Sequence, residues 1–425
     1  MEQAGSGRGY TMLALATIAF ALCFAVWGLI APLAPTFREL YTLSGSQVGL
    51  LLAVPVVLGS LARLPLGLLA DRYGGRLIFA ALILVLLVPV ALAGLTRSFG
   101  TLVAVSFFLG LAGASFAVGV PFVSRWFPPE RQGFALGVYG MGNIGTAIAN
   151  FSAPPLSNRL GWDRVFWVFL PILLAFGILF WLMARDAPGS TGAGKSLGER
   201  LAVFRRYPLA WVLALFYFVT FGGFVAINVY LPTLLVSEYG LARTDAAYRA
   251  AGFAILATLA RPLGGALADR WGGTPLLNAT FLVVAALAVV LAFEPGMTVI
   301  TVTFLGIAFM LGLGNGAVFQ LVPRFFSREA GTVTGLVGAA GGLGGFFPPL
   351  LMGSVKDFTG SYAIGFMLLS EVALLCLVVN LLVLQHRASR LLPDDERTVP
   401  PGNAPGPGNA RSHKRRSPAT PAQRR

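Results

Sequence analysis

Apolar residues occur along the chain in long runs that are separated by short polar turns. Twelve runs are visible, each close to the roughly 20 residues that an α-helix needs to cross the hydrocarbon core of a bilayer. Ten-residue segments of alternating polarity, typical of a membrane β-barrel, are absent from the sequence. The runs predict spans 1 to 12 at residues 11–34, 46–69, 77–96, 99–123, 133–155, 163–184, 209–236, 248–268, 275–294, 297–322, 331–353 and 361–385.

Composition agrees with a location in the lipid bilayer. Of 425 residues, 56% are hydrophobic and 11% are charged, whereas charged residues make up about 25% of a typical soluble domain. Backbone polar groups find no water inside a bilayer, so the runs are expected to be helices. The predicted fold class is an all-α integral membrane protein with twelve transmembrane helices.

The distribution of Lys and Arg predicts the orientation. The turns after spans 2, 4, 6, 8 and 10 hold Arg72, Arg76, Arg125, Arg131, Arg185, Lys195, Arg200, Arg205, Arg206, Arg270, Arg324 and Arg328. The opposite turns hold fewer, namely Arg38, Arg97, Arg159, Arg164, Arg243, Arg249 and Lys356. By the positive-inside rule both termini are cytoplasmic and the protein lies in the plasma membrane. A bias toward Ala, Gly, Leu and Arg favours a bacterial source, where this is the inner membrane.

One short motif suggests nucleotide chemistry but fails on its context. The stretch GSTGAGKS at 189–196 matches the phosphate-binding pattern G-x-x-x-x-G-K-[ST]. That pattern works where a strand leads into a helix, and here it lies in a polar connection between spans 6 and 7. Cys23 and Cys376 fall in apolar spans without metal-ligand spacing. We therefore expect no cofactor, no metal and no enzymatic activity, and the basic tail at 386–425 is expected to be a disordered cytoplasmic segment that does not bind nucleic acid.

The chain repeats itself. LARLPLGLLADRYGG at 61–75 and LARPLGGALADRWGG at 259–273 share ten of fifteen residues at a constant offset of 198. A repeat of this kind predicts two six-helix bundles related by a pseudo-twofold axis. The motif between spans 2 and 3, and its copy between spans 8 and 9, resemble those of the major facilitator superfamily. The predicted organisation is an N-terminal bundle at 1–184, a cytoplasmic linker at 185–208, a C-terminal bundle at 209–385 and the tail at 386–425.

The repeated motif predicts a contact at the cytoplasmic side, which we call the cytoplasmic latch. Glycine lets a neighbouring helix approach closely, and aspartate can accept bonds from Arg or from exposed helix N-terminal amides. The residues of the predicted latch are Gly67, Asp71, Arg72, Gly265, Asp269 and Arg270.

Two arginines are predicted to lie deep in the membrane. Arg63 precedes Asp71 by eight residues, which places it roughly 12 Å above the cytoplasmic edge, and Arg261 has the same spacing from Asp269. Buried charges of this kind are costly and mark functional sites. Spans 1 to 11 carry no acidic residue near mid-depth, and no lysine lies in any of the twelve runs. The two guanidinium groups therefore favour a mobile, planar oxyanion as their partner.

Glycines and aromatic residues recur around these positions. GVYGMGNIG in span 5 and GLVGAAGGLGGFFPP in span 11 repeat glycine every three or four residues, which permits close helix packing or a narrow path for a small solute. The glycines predicted to lie near the site are Gly140, Gly142, Gly145, Gly338, Gly341 and Gly342. Asn143 adds a polar donor beside them, and GASF and GAVF place Phe116 and Phe319 at equivalent positions of spans 4 and 10.

These segments resemble the nitrate/nitrite porters of the superfamily. YGMGNIG is similar to the glycine-asparagine signature of span 5 in that family, GAAGGLGGFFPP to its counterpart in span 11, and YFVTFGGFVAINVYLP to its span 7. The resemblance implies that Arg63 and Arg261 bind the anion, that Asn143 and Tyr217 donate further hydrogen bonds, and that Phe116 and Phe319 cover its two faces.

The expected function is secondary transport of nitrate or nitrite by alternating access, carried out by a monomer. The absence of a mid-membrane carboxylate favours exchange of nitrate for nitrite over proton coupling. Proton-coupled nitrate symport, and transport of another small anion such as formate or oxalate, are the alternatives. The polar tail is short for an appended signalling domain, which argues against a membrane sensor.

Overall fold

The computed structural model describes residues 7–188, 198, 207–326 and 330–385, and within these ranges the chain forms helices joined by short turns, without any strand. The phosphate-loop-like stretch at 189–196, most of the predicted linker and the tail at 386–425 lie outside the described residues.

In the first half of the chain most spans consist of two or three helical segments. Prolines explain two of the interruptions, because proline lacks an N–H and its ring crowds the carbonyl four residues earlier. Pro65 acts in this way at Leu61 and Pro89 at Val85, where the first segments of spans 2 and 3 end. The segments are Gly7–Gly28 and Ile30–Leu40 in span 1, Gly45–Leu61 and Arg63–Tyr73 in span 2, Gly75–Val85 and Leu87–Ala93 in span 3, Phe99–Leu109, the 3₁₀ turn Gly110–Ala114 and Ser115–Ser124 in span 4, Pro129–Gly140, the 3₁₀ turn Met141–Ile144 and Gly145–Leu160 in span 5, and Trp162–Met183 in span 6.

In the second half most helices are continuous. Span 11 is interrupted after Gly344, four residues before Pro348, for the same reason as spans 2 and 3. Span 11 also continues beyond its predicted end, so that Lys356 lies near the end of its helix and donates to Glu238 Oε2 at 2.6 Å. The helices are Pro208–Tyr239 in span 7, Arg243–Trp271 in span 8, Gly273–Ala292 in span 9, Met297–Phe325 in span 10, Ala330–Gly344 and Phe347–Thr359 in span 11, and Ala363–Val379 with the π-helical segment Asn380–Gln385 in span 12.

Eleven helices of the described chain are long and apolar enough to cross a membrane. They match the predicted spans except span 5, which is helical but is not among the eleven. Its second segment packs between spans 1 and 8 and buries Asn150 together with small residues. A helix whose neighbours are other helices needs less apolar surface than a helix that faces lipid, which explains the weaker apolar character of span 5.

The two halves of the chain are bonded to each other at the end of the bundle that is opposite the N-terminus, which we call the outer end. Asp357 in span 11 accepts hydrogen bonds from the backbone N–H groups of Gly45 at 2.8 Å and Ser46 at 2.7 Å, at the start of span 2. Glu39 also pairs with Arg243 there. Among the described residues, hydrogen bonds between the halves occur at this end and at Arg63, and none lies nearer the opposite end. The outer end is therefore closed.

Candidate anion-binding site

Arg63 lies between the two halves at the break in span 2. Its side chain is buried, and its Nε donates to the carbonyl oxygen of Gly113 in span 4 at 3.3 Å. Its Nη1 donates to the carbonyl oxygen of Gly338 in span 11, in the other half of the chain. Both carbonyl oxygens belong to glycines, whose lack of a side chain lets the guanidinium group reach the backbone. Arg63 is thus held by neutral acceptors from both halves.

Arg261 lies at the equivalent position of span 8, which is continuous there. Its Nη2 donates to the hydroxyl oxygen of Tyr217 in span 7 at 3.1 Å. Its Nη1 is buried and has no hydrogen-bond partner among the described residues. A buried guanidinium nitrogen without an acceptor is costly, so this nitrogen is available to an anion in the space between the halves.

Phe221 connects the two arginines and was missed from the sequence. Its ring centroid lies 5.7 Å from the guanidinium carbon of Arg63 and 5.6 Å from that of Arg261, within the range of a cation–π interaction. The ring also stacks on Tyr217, with centroids 5.0 Å apart and an interplanar angle of 4°. The spacing of four residues from Tyr217 on one helix face was the signal that could have found it.

The remaining predicted aromatic residues meet at the same place. Phe319 packs edge-on against Tyr217 at a centroid distance of 4.8 Å. Phe116 and Phe319 lie 6.3 Å apart with an angle of 50° between their rings, and Phe116 also lies 5.8 Å from the guanidinium carbon of Arg63. The two phenylalanines contact each other and do not form parallel walls in this conformation. Binding of a flat anion between them would require the rings to separate and realign.

Asn143 lies in the 3₁₀ turn of span 5 and is buried. Its Nδ2 donates to the carbonyl oxygen of Gly140 at 2.7 Å, and its Oδ1 has no partner in the described part of the chain. Gly140 is next to the site, because a Cβ atom at this position would lie 3.9 Å from the guanidinium carbon of Arg261. Asn143 follows Gly140 by one helical turn, and its donor nitrogen is already used by its own span.

The predicted glycines pack against the site or against span 1. A methyl group at Gly341 would overlap the Tyr217 ring, and one at Gly342 would overlap Ser60 Oγ and lie 3.1 Å from Arg63 Nη1. Gly338 is less crowded, with the Phe116 ring 3.5 Å from a Cβ atom at this position. In span 5, added methyl groups at two further predicted positions would overlap span 1, at Phe20 for Gly142 and at Ala21 for Gly145.

The residues of the predicted cytoplasmic latch have different surroundings in the two halves. Asp71 accepts from Arg125 Nη2 at 2.8 Å, a contact within the first half, whereas Asp269 is exposed and forms no ion pair with the described residues. Gly67 is buried, Gly265 has open space at its Cβ position, and the close approach in the second half is made by Gly264 to the backbone of Leu313. Arg72 and Arg270 are exposed. The ion pair of Asp71 and the close approach of Gly264 each lie within one half, so the latch between the halves stays a prediction.

The chemistry of the central residues is that of an anion receptor. Arg63 and Arg261 are cations from opposite halves, and neither forms an ion pair with an Asp or Glu of the described chain. Their neutral neighbours supply π faces, one phenolic hydroxyl and backbone carbonyls. The fold and this arrangement define a membrane carrier with two cations between its halves, and such a pair suits an anion.

Comparisons with known proteins identify the family. Residues 16–349 match the family model of the Major Facilitator Superfamily, and the chain belongs to this superfamily. It is 42% identical over 372 residues to the "Nitrite extrusion protein" of Bacillus subtilis (strain 168), covering 88% of this chain and 94% of that protein. It is 37% identical over 372 residues to the "Probable nitrate transporter NarT" of Staphylococcus epidermidis, covering 87% and 95%.

A solved structure supports the same fold. The bacterial homologue of the human lysosomal transporter Spinster, in its inward-facing and occupied conformation, superposes with a TM-score of 0.72 at 20% identity, over 90% of this chain and 97% of that one. The superfamily match, the transporter relatives and the apolar helices together show a multi-pass plasma membrane carrier and not an enzyme.

Proposed function

We propose that the protein carries nitrate and nitrite across the membrane by alternating access. The observation that supports this most strongly is the convergence of Arg63 and Arg261 on the ring of Phe221 without any carboxylate bonded to them. A guanidinium group presents paired donors in one plane, which suits a planar oxyanion. The relatives named as a nitrite extrusion protein and a nitrate transporter point to the same substrates.

The proposed architecture has twelve transmembrane helices in two bundles, at 1–184 and 209–385, with both termini cytoplasmic and a monomer as the working unit. Span 5 supplies the twelfth helix, because its 32 residues from Pro129 to Leu160 are helical between spans that cross the membrane. The even number of spans and the excess of Lys and Arg in the turns after even-numbered spans support the orientation.

Closure of the outer end indicates which side of the membrane the site serves in this conformation. Under the proposed orientation, hydrogen bonds join the halves at Asp357 and at Arg63, and the cytoplasmic side lacks such bonds among the described residues. The halves would then rock about the arginines, so that the anion is released to the cytoplasm from this conformation and captured from outside in the other.

Exchange is the proposed coupling. Without an anion, two like charges approach each other as the halves close, and their repulsion in a medium of low dielectric constant opposes closure. Bound nitrate or nitrite offsets this repulsion, so the loaded carrier changes conformation more readily than the unloaded one. The residues bonded to the arginines include no carboxylate that would carry a proton, which favours nitrate/nitrite exchange over proton symport.

Uptake of labelled nitrate into proteoliposomes tests this function. Vesicles loaded with nitrite are compared with empty vesicles in the absence of a pH gradient, and we expect uptake only into the loaded ones. Uptake that appears only after a pH gradient is imposed would identify a proton symporter. No nitrate uptake under any condition would contradict the proposal, and formate or oxalate would be the next substrates to test.

A further inference from the structure

A small cavity lies on the outer side of Arg63, between the central arginines and the contacts that close the outer end. Its volume is about 10 Å³, which is room for about one water molecule. Residues of both halves line it, among them Trp27, Ser60, Arg63, Phe221, Val225 and Gly342. In span 2, Ser60 lies nearer the outer end than Arg63, and in span 7, Val225 lies nearer the outer end than Phe221. An anion that enters from outside therefore has to pass the cavity before it reaches the central arginines.

Trp27 brings an unused donor to the wall of this cavity. Its side chain is 6% exposed, and its Nε1 has no hydrogen-bond partner among the residues described. A buried indole N–H usually has an acceptor. The nitrogen lies beside Gly113, where a Cβ atom would be 3.7 Å away, so the space in front of the indole is kept open by a glycine.

The other polar groups of the cavity are also able to donate. Arg63 uses Nε and Nη1 for backbone carbonyls, and its Nη2 forms no hydrogen bond with a described residue. Ser60 Oγ donates to the carbonyl oxygen of Val56 at 2.8 Å, and its hydroxyl can rotate toward another acceptor. None of the lining residues is acidic. A cavity with N–H and O–H donors and a cation, but without a carboxylate, suits an anion.

We propose that this cavity is the closed form of an outer anion subsite, in which the Trp27 indole N–H, Ser60 and Arg63 bind the oxyanion before it reaches Arg261. This inference rests on the proposed transport of nitrate and nitrite. In the present conformation the space has room for about one water molecule and is too small for an ion of four heavy atoms. Separation of the halves at the outer end widens it, because its walls belong to spans 1 and 2 on one side and spans 7 and 11 on the other.

Sided transport kinetics of Trp27→Phe test the subsite. Phenylalanine keeps an aromatic ring and removes the donor. In right-side-out membrane vesicles we expect the KM for external nitrate to rise about tenfold, as for the loss of one hydrogen bond to a charged ligand. In inverted vesicles, where nitrate reaches the carrier from the cytoplasmic face, the KM is expected to change less than twofold. Equal increases at both faces, or no increase at the outer face, would overturn the proposal.

Two further variants make the result decisive. Trp126→Phe is the matched control, because Trp126 also has a buried Nε1 without a partner in the described chain but does not line the cavity; its KM is expected to be unchanged at both faces. Ser60→Ala is expected to raise the external KM about twofold and decides the question if Trp27→Phe does not accumulate in the membrane. A wild-type protein that does not transport nitrate would contradict the proposed function, whereas normal wild-type transport with an unchanged external KM in the variants would contradict the subsite alone.

Discussion

Arg63 and Arg261 occupy equivalent positions of a repeated sequence, yet their surroundings differ. Arg63 starts a new helical segment, and its nitrogens bond to backbone carbonyls of spans 4 and 11. Arg261 lies inside a continuous helix, bonds to one tyrosine hydroxyl, and keeps a buried nitrogen without a protein acceptor. The repeat therefore places both charges at equivalent positions, while their neighbours differ.

The proline also differs in position between the two copies of the repeat. In LARLP the proline is Pro65, and the helix is interrupted before Arg63; in LARP it is Pro262, directly after Arg261, and the helix continues. We infer that Arg63 responds to closure of the outer end, because its bond to Gly338 joins the halves, and that Arg261 supplies the donor that is most available to the anion. The predictions below test this division, beginning with the largest expected effect.

Arg261→Lys is expected to weaken nitrate binding about 100-fold. Lysine keeps the positive charge but loses the planar pair of donors, and hydrogen bonds to charged groups contribute roughly 1.5–3 kcal/mol each. Isothermal titration calorimetry of the purified carrier measures the effect. Arg249→Lys in the same span is the control, since Arg249 pairs with Asp245 far from the site. A change of less than threefold for Arg261→Lys would show that Arg261 is not the main donor.

Gly342→Ala is expected to lower the rate of nitrate/nitrite exchange about tenfold. The added methyl group would overlap Ser60 Oγ and press on Arg63 Nη1, so the bond between the halves is disturbed as they close. Gly338→Ala is the matched control in the same span, because its Cβ atom would make an ordinary contact with Phe116. Equal rates for the two variants would show that the position of Arg63 does not limit closure.

Tyr217→Phe is expected to weaken nitrate binding about fivefold, a loss of roughly 1 kcal/mol. The hydroxyl accepts from Arg261 Nη2 and fixes the guanidinium group, whereas the ring contacts with Phe221 and Phe319 are kept. Tyr230→Phe is the control, because Tyr230 lies in the same helix but its hydroxyl pairs with that of Tyr362. An affinity equal to that of the wild type would mean that Arg261 does not need this hydroxyl.

Asp357→Asn is expected to have the smallest effect. The equilibrium ratio of the conformation open to the outside to the conformation closed there should rise about threefold. The substitution removes the charge that binds the amides at the start of span 2 and leaves the shape of the side chain. Opening is measured as the rate at which a membrane-impermeant maleimide labels a cysteine introduced by Ser46→Cys. The Ser46→Cys variant with Asp357 intact is the reference. Slower labelling in the Asp357→Asn background would contradict the role of Asp357 in closure.

Local sequence patterns predicted the helices and the depth of the two arginines, but not the residues that these arginines contact. The apolar runs located the helices because each span is a contiguous segment, and the depth of Arg63 and Arg261 followed from counting residues along a helix. Phe221 was missed because aromatic residues are common in spans and its role depends on two cations from other helices. The bonds from Gly45 and Ser46 to Asp357 join residues more than 300 positions apart, and a single sequence holds no signal for such a contact.

The central claim is that Arg63 and Arg261 bind the same anion. A double-mutant cycle measures it most directly, with nitrate affinities determined for the wild type, Arg63→Lys, Arg261→Lys and the double variant. Residues that share one ligand are coupled, so the loss of binding free energy in the double variant should differ from the sum of the single losses by more than about 0.5 kcal/mol. Unchanged affinity in both single variants, or strictly additive losses, would contradict the shared site.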